Sequence, residues 1–168
     1  AYFDAPTQTR LQQQTAVNVQ AHQYSLDLLD NKQPPTLKED KPEYKPVRDQ
    51  GFRRAVTTAY DHRCAFCGVR ILTADGHTAI EAAHIVPWSE SYNDTIQNGL
   101  ALCRLCHWGF DEGLLAVGKR LTLLTSKQLN TVGNMPGHLS TLYGRSLFPP
   151  THDHYHPAPN NLAWHRQH

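Results

Sequence analysis

Apolar positions along the chain change their spacing several times, and each change marks an element. From Thr7 to Asp30 the chain is polar and glutamine-rich. Leu11, Ala16, Val19, His22, Leu26 and Leu29 recur there at roughly helical spacing, which predicts one or two helices in an N-terminal segment, residues 1–30. Asn31 to Pro46 holds Pro34, Pro35, Pro42 and Pro46 among charged residues, so an extended linker is expected over residues 31–50. Phe52, Ala55, Val56, Ala59 and Tyr60 then fall on one side of a helix over Phe52–Asp61, with Arg53 and Arg54 toward the other.

Farther on the period shortens. Thr78–Val86 reads as a strand of a hairpin, preceded by the turn pair Asp75-Gly76 and stopped by Pro87. Ser89–Asn98 is a polar loop, Leu100–Leu102 a second apolar run, and a short helix is expected from near Cys106 to Gly113. Leu114–Val117 and Leu121–Leu124 flank Gly118-Lys119-Arg120 as a terminal hairpin. These elements make one domain over residues 51–125. Residues 126–168, rich in Gly, Pro, Asn and His, form a C-terminal tail that wraps over it.

Composition narrows the class. In a chain of 168 residues, 39% hydrophobic with mean hydropathy −0.56, one modest core helped by a metal is the expectation. No apolar run is long enough to span a bilayer, and no phosphate-binding glycine loop, serine triad or dinucleotide fingerprint is present. The four cysteines form two Cys-x-x-Cys pairs, Cys64/Cys67 and Cys103/Cys106, which suit zinc better than disulfides and point to a reducing, cytoplasmic setting. Two such pairs complete a closed tetrahedron, so this zinc is expected to be structural. The 35 residues between Cys67 and Cys103 leave room for a hairpin and a loop, more than a simple zinc ribbon needs.

Net charge is only +1, but Lys45, Arg48, Arg53, Arg54, Arg63 and Arg70 cluster around the first cysteine pair against only Asp49 and Asp61. Such a strip suits phosphate contacts, with Lys45, Arg48, Arg53 and Arg54 as the candidate DNA-binding residues. A solvated helix face is the plainer alternative.

Between and after the cysteines stand His84 in Ala-Ala-His-Ile-Val-Pro-Trp, Asn98 in Asn-Gly-Leu-Ala-Leu-Cys, and His107 in Cys-His-Trp-Gly-Phe-Asp-Glu-Gly. Singly each has a structural reading: a packed histidine, a turn-forming asparagine, a spare zinc ligand. Together, 14 and 9 residues apart and framed by the cysteine pairs, they resemble the HNH nuclease family, most closely the HNH domains of bacterial modification-dependent and related restriction endonucleases. The resemblance covers roughly Phe52 to Leu124. It implies an α+β fold: a ββα-metal (HNH) core braced by a four-cysteine zinc site, with an N-terminal helical segment and an irregular C-terminal tail.

The resemblance also implies chemistry. His84 takes the role of general base, suited by histidine's ordinary pKa near neutrality. His107 resembles the helix-borne ligand of a catalytic divalent ion, and Asp111, four residues on along the same helix face, is a second ligand. Asn98 corresponds to the middle residue of the motif, which either binds the catalytic ion or ties down the loop that orients the base. Many relatives place an acidic residue or histidine immediately before the base. Here that position is Ala83, with Glu81 one pleat away on the same strand face. A histidine ligand makes Mn²⁺, Ni²⁺ or Zn²⁺ as suitable as Mg²⁺.

The implied activity is metal-dependent hydrolysis of phosphodiester bonds in double-stranded DNA, as the cleavage domain of a restriction-type enzyme. A non-catalytic zinc module that binds DNA or protein is the alternative, and Ala83 favours it. One site cuts one strand, so double-strand cleavage calls for a homodimer or two visits, with the N-terminal helices as the dimer element. The chain begins Ala-Tyr-Phe without an initiator methionine, and the resemblance implies a separate recognition domain ahead of it.

Overall fold

The computed structural model describes residues 4–32 and 44–168. They fall into two compact units, one within Ala1–Ala55 and one spanning Val56–His168. Pro34, Pro35 and Pro42 of the expected linker lie outside the described residues.

The first unit opens with α1 (Ala5–Leu29), whose N-terminus is capped by Asp4 accepting the Thr7 backbone N–H at 3.0 Å, with proline in the first turn. Its buried positions are Ala21, Tyr24, Ser25 and Leu28. Of the apolar series, Leu11, Val19 and Leu26 are exposed, at 46%, 65% and 41%, and Leu29 is half-buried. Burial follows the approach of α2 (Lys45–Ala59), where Gly51 lies so close to α1 that a Cβ there would sit 2.6 Å from Tyr24 Cδ1. That face depends on a glycine more than 20 residues away, which spacing within α1 does not reveal. The linker reading also needs correction over its last residues. Residues 45–50 are helical, because Pro46 stands in the first turn of α2, where its missing N–H leaves no intrahelical bond unmade.

The second unit begins in the last turn of α2. Asp61 and His62 take left-handed φ of 49° and 55°, and the His62 N–H returns to the Thr57 carbonyl at 2.8 Å, ending the helix. The first cysteine pair follows in a tight knuckle, closed by Cys64 N–H to Val69 O and Gly68 N–H to Cys64 O, both 2.9 Å. The Asp75-Gly76 turn carries the chain into β1 (Ile80–His84), with a bridge between Leu72 and Thr78 on either side of it. The strand is shorter than Thr78–Val86, because the backbone of Ile85 and Val86 bonds to Asn98 instead of to a ladder.

β1 pairs antiparallel with β2 (Gly99–Cys103), Ile80 opposite Cys103 and His84 opposite Gly99. The connection between them contains α3 (Trp88–Ser91), a single turn, and a 3₁₀ turn at Ile96–Asn98. α4 (Arg104–Asp111) starts directly from β2, and β3 (Leu115–Val117) pairs with β4 (Leu123–Thr125) beyond it. The core between hairpin and helix is apolar: Phe66, Phe110, Ile80, Leu100, Leu102 and Leu115 are fully buried, each contributing roughly 1.5–3 kcal/mol of transfer free energy. Phe66 and Phe110 meet edge to face at 5.8 Å. The Ala65 N–H donates to Ala101 O at 2.8 Å and so stitches the first knuckle to β2.

The tail is less irregular than expected. It includes α5 (Pro159–His165), which packs on β3. His165 stacks on Phe110 at 3.6 Å with rings nearly parallel, and its Nε2 lies 3.0 Å from Phe110 O. Burial there holds the His165 pKa below its ordinary value, partly countered by that carbonyl contact. Arg166 donates to Val117 O at 2.7 Å. Farther back, the Phe148 N–H reaches Ala65 O at 2.8 Å, and the Arg63 guanidinium lies 5.6 Å from the Phe148 ring centroid.

Gly68 has φ +79°, and a Cβ there would lie 2.6 Å from two atoms of the Phe148 ring. Gly68→Ala therefore combines left-handed strain with displacement of the tail, and is expected to lower stability by roughly 2–4 kcal/mol, measured by urea unfolding.

Candidate active site and metal centre

The sulfurs of Cys64, Cys67, Cys103 and Cys106 all lie within 4.8 Å of one another, and Cys67 Sγ is 3.8 Å from Cys103 Sγ. Cys64 and Cys106 are buried, Cys67 and Cys103 half-buried. With protons as the only shared cations, the cluster splits. Cys64 and Cys106 are pushed above the ordinary thiol value, each chiefly by its hydrogen bond with Cys103. Cys67 is pulled below it by Cys103, and Cys103 falls to about 6 through its hydrogen bond with Cys106. Four thiolates so placed are a donor set for one soft or borderline divalent ion, and could hold zinc.

α4 starts at the second cysteine pair and carries His107 and Asp111 one turn apart. His107 Nε2 lies 3.4 Å from Asp111 Oδ2, and His107 Nδ1 is 3.0 Å from Glu81 Oε2. Glu81, on β1, also accepts from Arg104 Nε at 3.1 Å. Partial burial works against the Glu81 carboxylate, but the bonds to His107 and Arg104 outweigh it and hold the carboxyl below its ordinary range. The two ring nitrogens of His107 thus meet two carboxylates, Glu81 at Nδ1 and Asp111 at Nε2. An imidazole nitrogen and a carboxylate oxygen are donor types that suit a divalent ion. Ala83, the departure noted in the sequence, is completely buried and offers no donor.

His84 ends β1. Its Nε2 lies 2.7 Å from Oδ1 of Asp94, whose side chain is only 2% exposed. Nothing in the polar loop marked Asp94, and its single recognisable signal was a carboxylate ten residues after the histidine. Asn98 is fully buried, and all its polar atoms are engaged with backbone. Its Oδ1 accepts the Val86 N–H at 3.0 Å, and its Nδ2 donates to Val86 O at 3.0 Å and to Asn93 O at 2.9 Å. Of its two expected roles, metal ligand and loop tie, the geometry is that of the tie. Val86 follows His84 by two residues and Asn93 precedes Asp94 by one, so a single amide pins both ends of the His84–Asp94 contact.

Lys45, Arg48, Arg53 and Arg54 all lie on α2. Lys45, Arg53 and Arg54 are exposed. Arg48 departs from the expected phosphate-facing set: its side chain is 11% exposed and paired with Asp49 at 2.7 Å. Arg70 is likewise bonded to Asp61, through both its carbonyl and its carboxylate. Trp108, next to His107, is 53% exposed, whereas Trp88 is half-buried with its ring edge-on to Tyr92.

Residues 64–118, which carry this hairpin and helix, match the family model for HNH endonucleases. The segment is an HNH domain. The chain is also 27% identical over 73 residues to anaredoxin of Nostoc sp. (strain PCC 7120 / SAG 25.82 / UTEX 2576), covering 44% of this chain and 88% of that protein. Among solved structures, a modification-dependent TagI restriction endonuclease aligns with TM-score 0.52 and 25% identity, over 73% of this chain and 38% of that one. The chain thus spans well under half of that endonuclease's length. The HNH domain and its restriction-endonuclease neighbour support a nuclease function. Among the described residues, no helix is long and apolar enough to cross a membrane.

Asn98→Ala would leave buried polar groups of Val86 and Asn93 unpaired inside the HNH domain. A loss of roughly 2–4 kcal/mol is expected, read as a lower urea midpoint at unchanged slope.

Proposed function

We propose that the chain is a divalent-metal-dependent endonuclease that hydrolyses phosphodiester bonds of double-stranded DNA, and that it is the cleavage part of a restriction-type enzyme. One observation carries the reading: on one ββα unit, each motif histidine has a carboxylate within hydrogen-bond distance of a ring nitrogen, Asp94 for His84 and Glu81 for His107.

His84 takes a proton from the attacking water as that oxygen bonds to phosphorus and the P–O3′ bond breaks. His107 and Asp111 would hold the catalytic Mg²⁺, Mn²⁺, Ni²⁺ or Zn²⁺, with Glu81 fixing the His107 ring. When bound, such an ion supplies electrostatic stabilisation of charge on the phosphoryl and leaving oxygens. Asn98 acts through the loop it ties, and the four cysteines hold a structural zinc. Lys45, Arg53 and Arg54 are the phosphate contacts, which weaken binding uniformly across sequences when removed. Sequence or modification specificity would come from a further recognition domain, and double-strand cleavage from a homodimer. A cytoplasmic setting suits a zinc held by thiolates rather than cysteines paired as disulfides.

Plasmid DNA incubated with the chain in Mg²⁺, Mn²⁺ or Ni²⁺ should be nicked, with His84→Ala slower by roughly 100-fold or more. No nicking with any ion, or equal nicking by the variant, would leave the non-catalytic zinc module as the correct reading. Elemental analysis should return one tightly held zinc per chain. Cys64→Ser should lose it along with cooperative unfolding, because the metal's binding free energy is also folding free energy.

A further inference from the structure

Asp94 is a carboxylate in a place where carboxylates are rarely found. The residue is 5% exposed, on a connection where Pro87, Ser89, Glu90 and Tyr92 are exposed and Ile96 and Asn98 are buried with it. Burying a carboxylate costs several kcal/mol unless strong partners compensate. Its Oδ1 lies 2.7 Å from His84 Nε2, in the range of charge-assisted bonds. The loop that carries it is pinned on both sides. Asn93 Oδ1 accepts the Thr95 N–H at 2.9 Å, and Asn93 O accepts from Asn98 Nδ2 at 2.9 Å. The same Asn98 amide holds Val86, two residues beyond His84. Histidine and carboxylate are therefore fixed in one rigid frame before any substrate arrives.

We infer that Asp94 is the positioning residue that sets the tautomer of His84, making Nδ1 the atom that accepts the proton. This rests on the nuclease reading for its catalytic meaning. An ionised carboxylate only accepts hydrogen bonds, so Nε2 must carry the proton facing it. The lone pair of the neutral ring then resides on Nδ1. When the attacking water gives up its proton, the O–H bond breaks and the proton goes to Nδ1, while the water oxygen bonds to phosphorus and the P–O3′ bond breaks with its electron pair passing to the leaving oxygen. The resulting imidazolium stays bonded through Nε2–H to Asp94, which keeps its own charge and takes no proton. The His84 side chain is 22% exposed, against 2% for Asp94, so the histidine is the member of the pair that faces solvent. The logic is that of the buried aspartate behind the histidine of serine proteases, on an unrelated fold.

The test uses the whole zinc-loaded chain, labelled with ¹⁵N. Two-bond ¹H–¹⁵N correlations report the His84 tautomer, with its signals assigned by comparison with His84→Gln. The wild type should show Nε2–H, and Asp94→Asn, which keeps the shape but can also donate, should lose that bias. In plasmid nicking, D94N should lower kcat by roughly 100-fold while KM stays within about 3-fold, a split that mere loosening of the loop would not produce. Wild-type His84 in the Nδ1–H form, or D94N with wild-type kcat, overturns the assignment. If the wild type fails to nick with every ion tried, the nuclease reading fails, and the tautomer by itself decides the pairing: Nε2–H sustains it and Nδ1–H removes it.

Discussion

Four sulfurs within 4.8 Å of one another cannot all be anionic unless a cation sits among them, and the second unit is organised around that constraint. The two cysteine pairs lie at opposite ends of the hairpin segment, so the cluster closes a long loop. Closing it removes chain entropy that this modest core would otherwise have to offset. Cys103 is at once the last residue of β2 and the residue from which α4 starts. One thiolate therefore fixes both the strand register and the origin of the helix. Register then does the rest: with Ile80 opposite Cys103, Glu81 comes to His107, and His84 ends up opposite Gly99. A slip of one residue would turn Glu81 to the other face of the hairpin and leave the His107 ring without its carboxylate.

The two motif histidines are built alike but supported differently. His107 rides on a regular helix and leans on a strand, elements whose positions follow from packing. His84 stands at a strand end and is matched to a carboxylate on an irregular connection, which needs a dedicated anchor. Asn98 is that anchor. A loop of this length would ordinarily be among the easiest parts of a domain to open, and the three hydrogen bonds of one buried amide are what oppose that.

Much of this was legible in the chain. The cysteine pairs, the hairpin, the helix bearing His107 and Asp111, and the second hairpin all carry local signals of spacing and turn chemistry. What was not legible depended on distant partners. The buried side of α1 follows from Gly51 and not from its own apolar period. Pro46 read as a linker residue because proline is tolerated both in extended chain and in the first turn of a helix. Arg48 counted as surface charge until its partner turned out to be the adjacent Asp49. Glu81 was visible as a carboxylate near the site, but its role as support for His107 required strand register. Asp94 carries only a weak signal, a carboxylate ten residues after the histidine, and one acid in a polar loop looks like any other.

The stacking of His165 on Phe110, and the seating of Phe148 against the first knuckle, bear on how much chain makes a working module. The family signature closes at residue 118, yet the ring that covers Phe110 and the N–H that bonds to Ala65 O come from well beyond it. A chimera that borrowed only the signature segment would present a bare aromatic and an unpaired carbonyl to solvent, at two of the places where the segment is otherwise held by the tail. The smallest transplantable unit is therefore defined by what closes over the signature, and it reaches at least through α5.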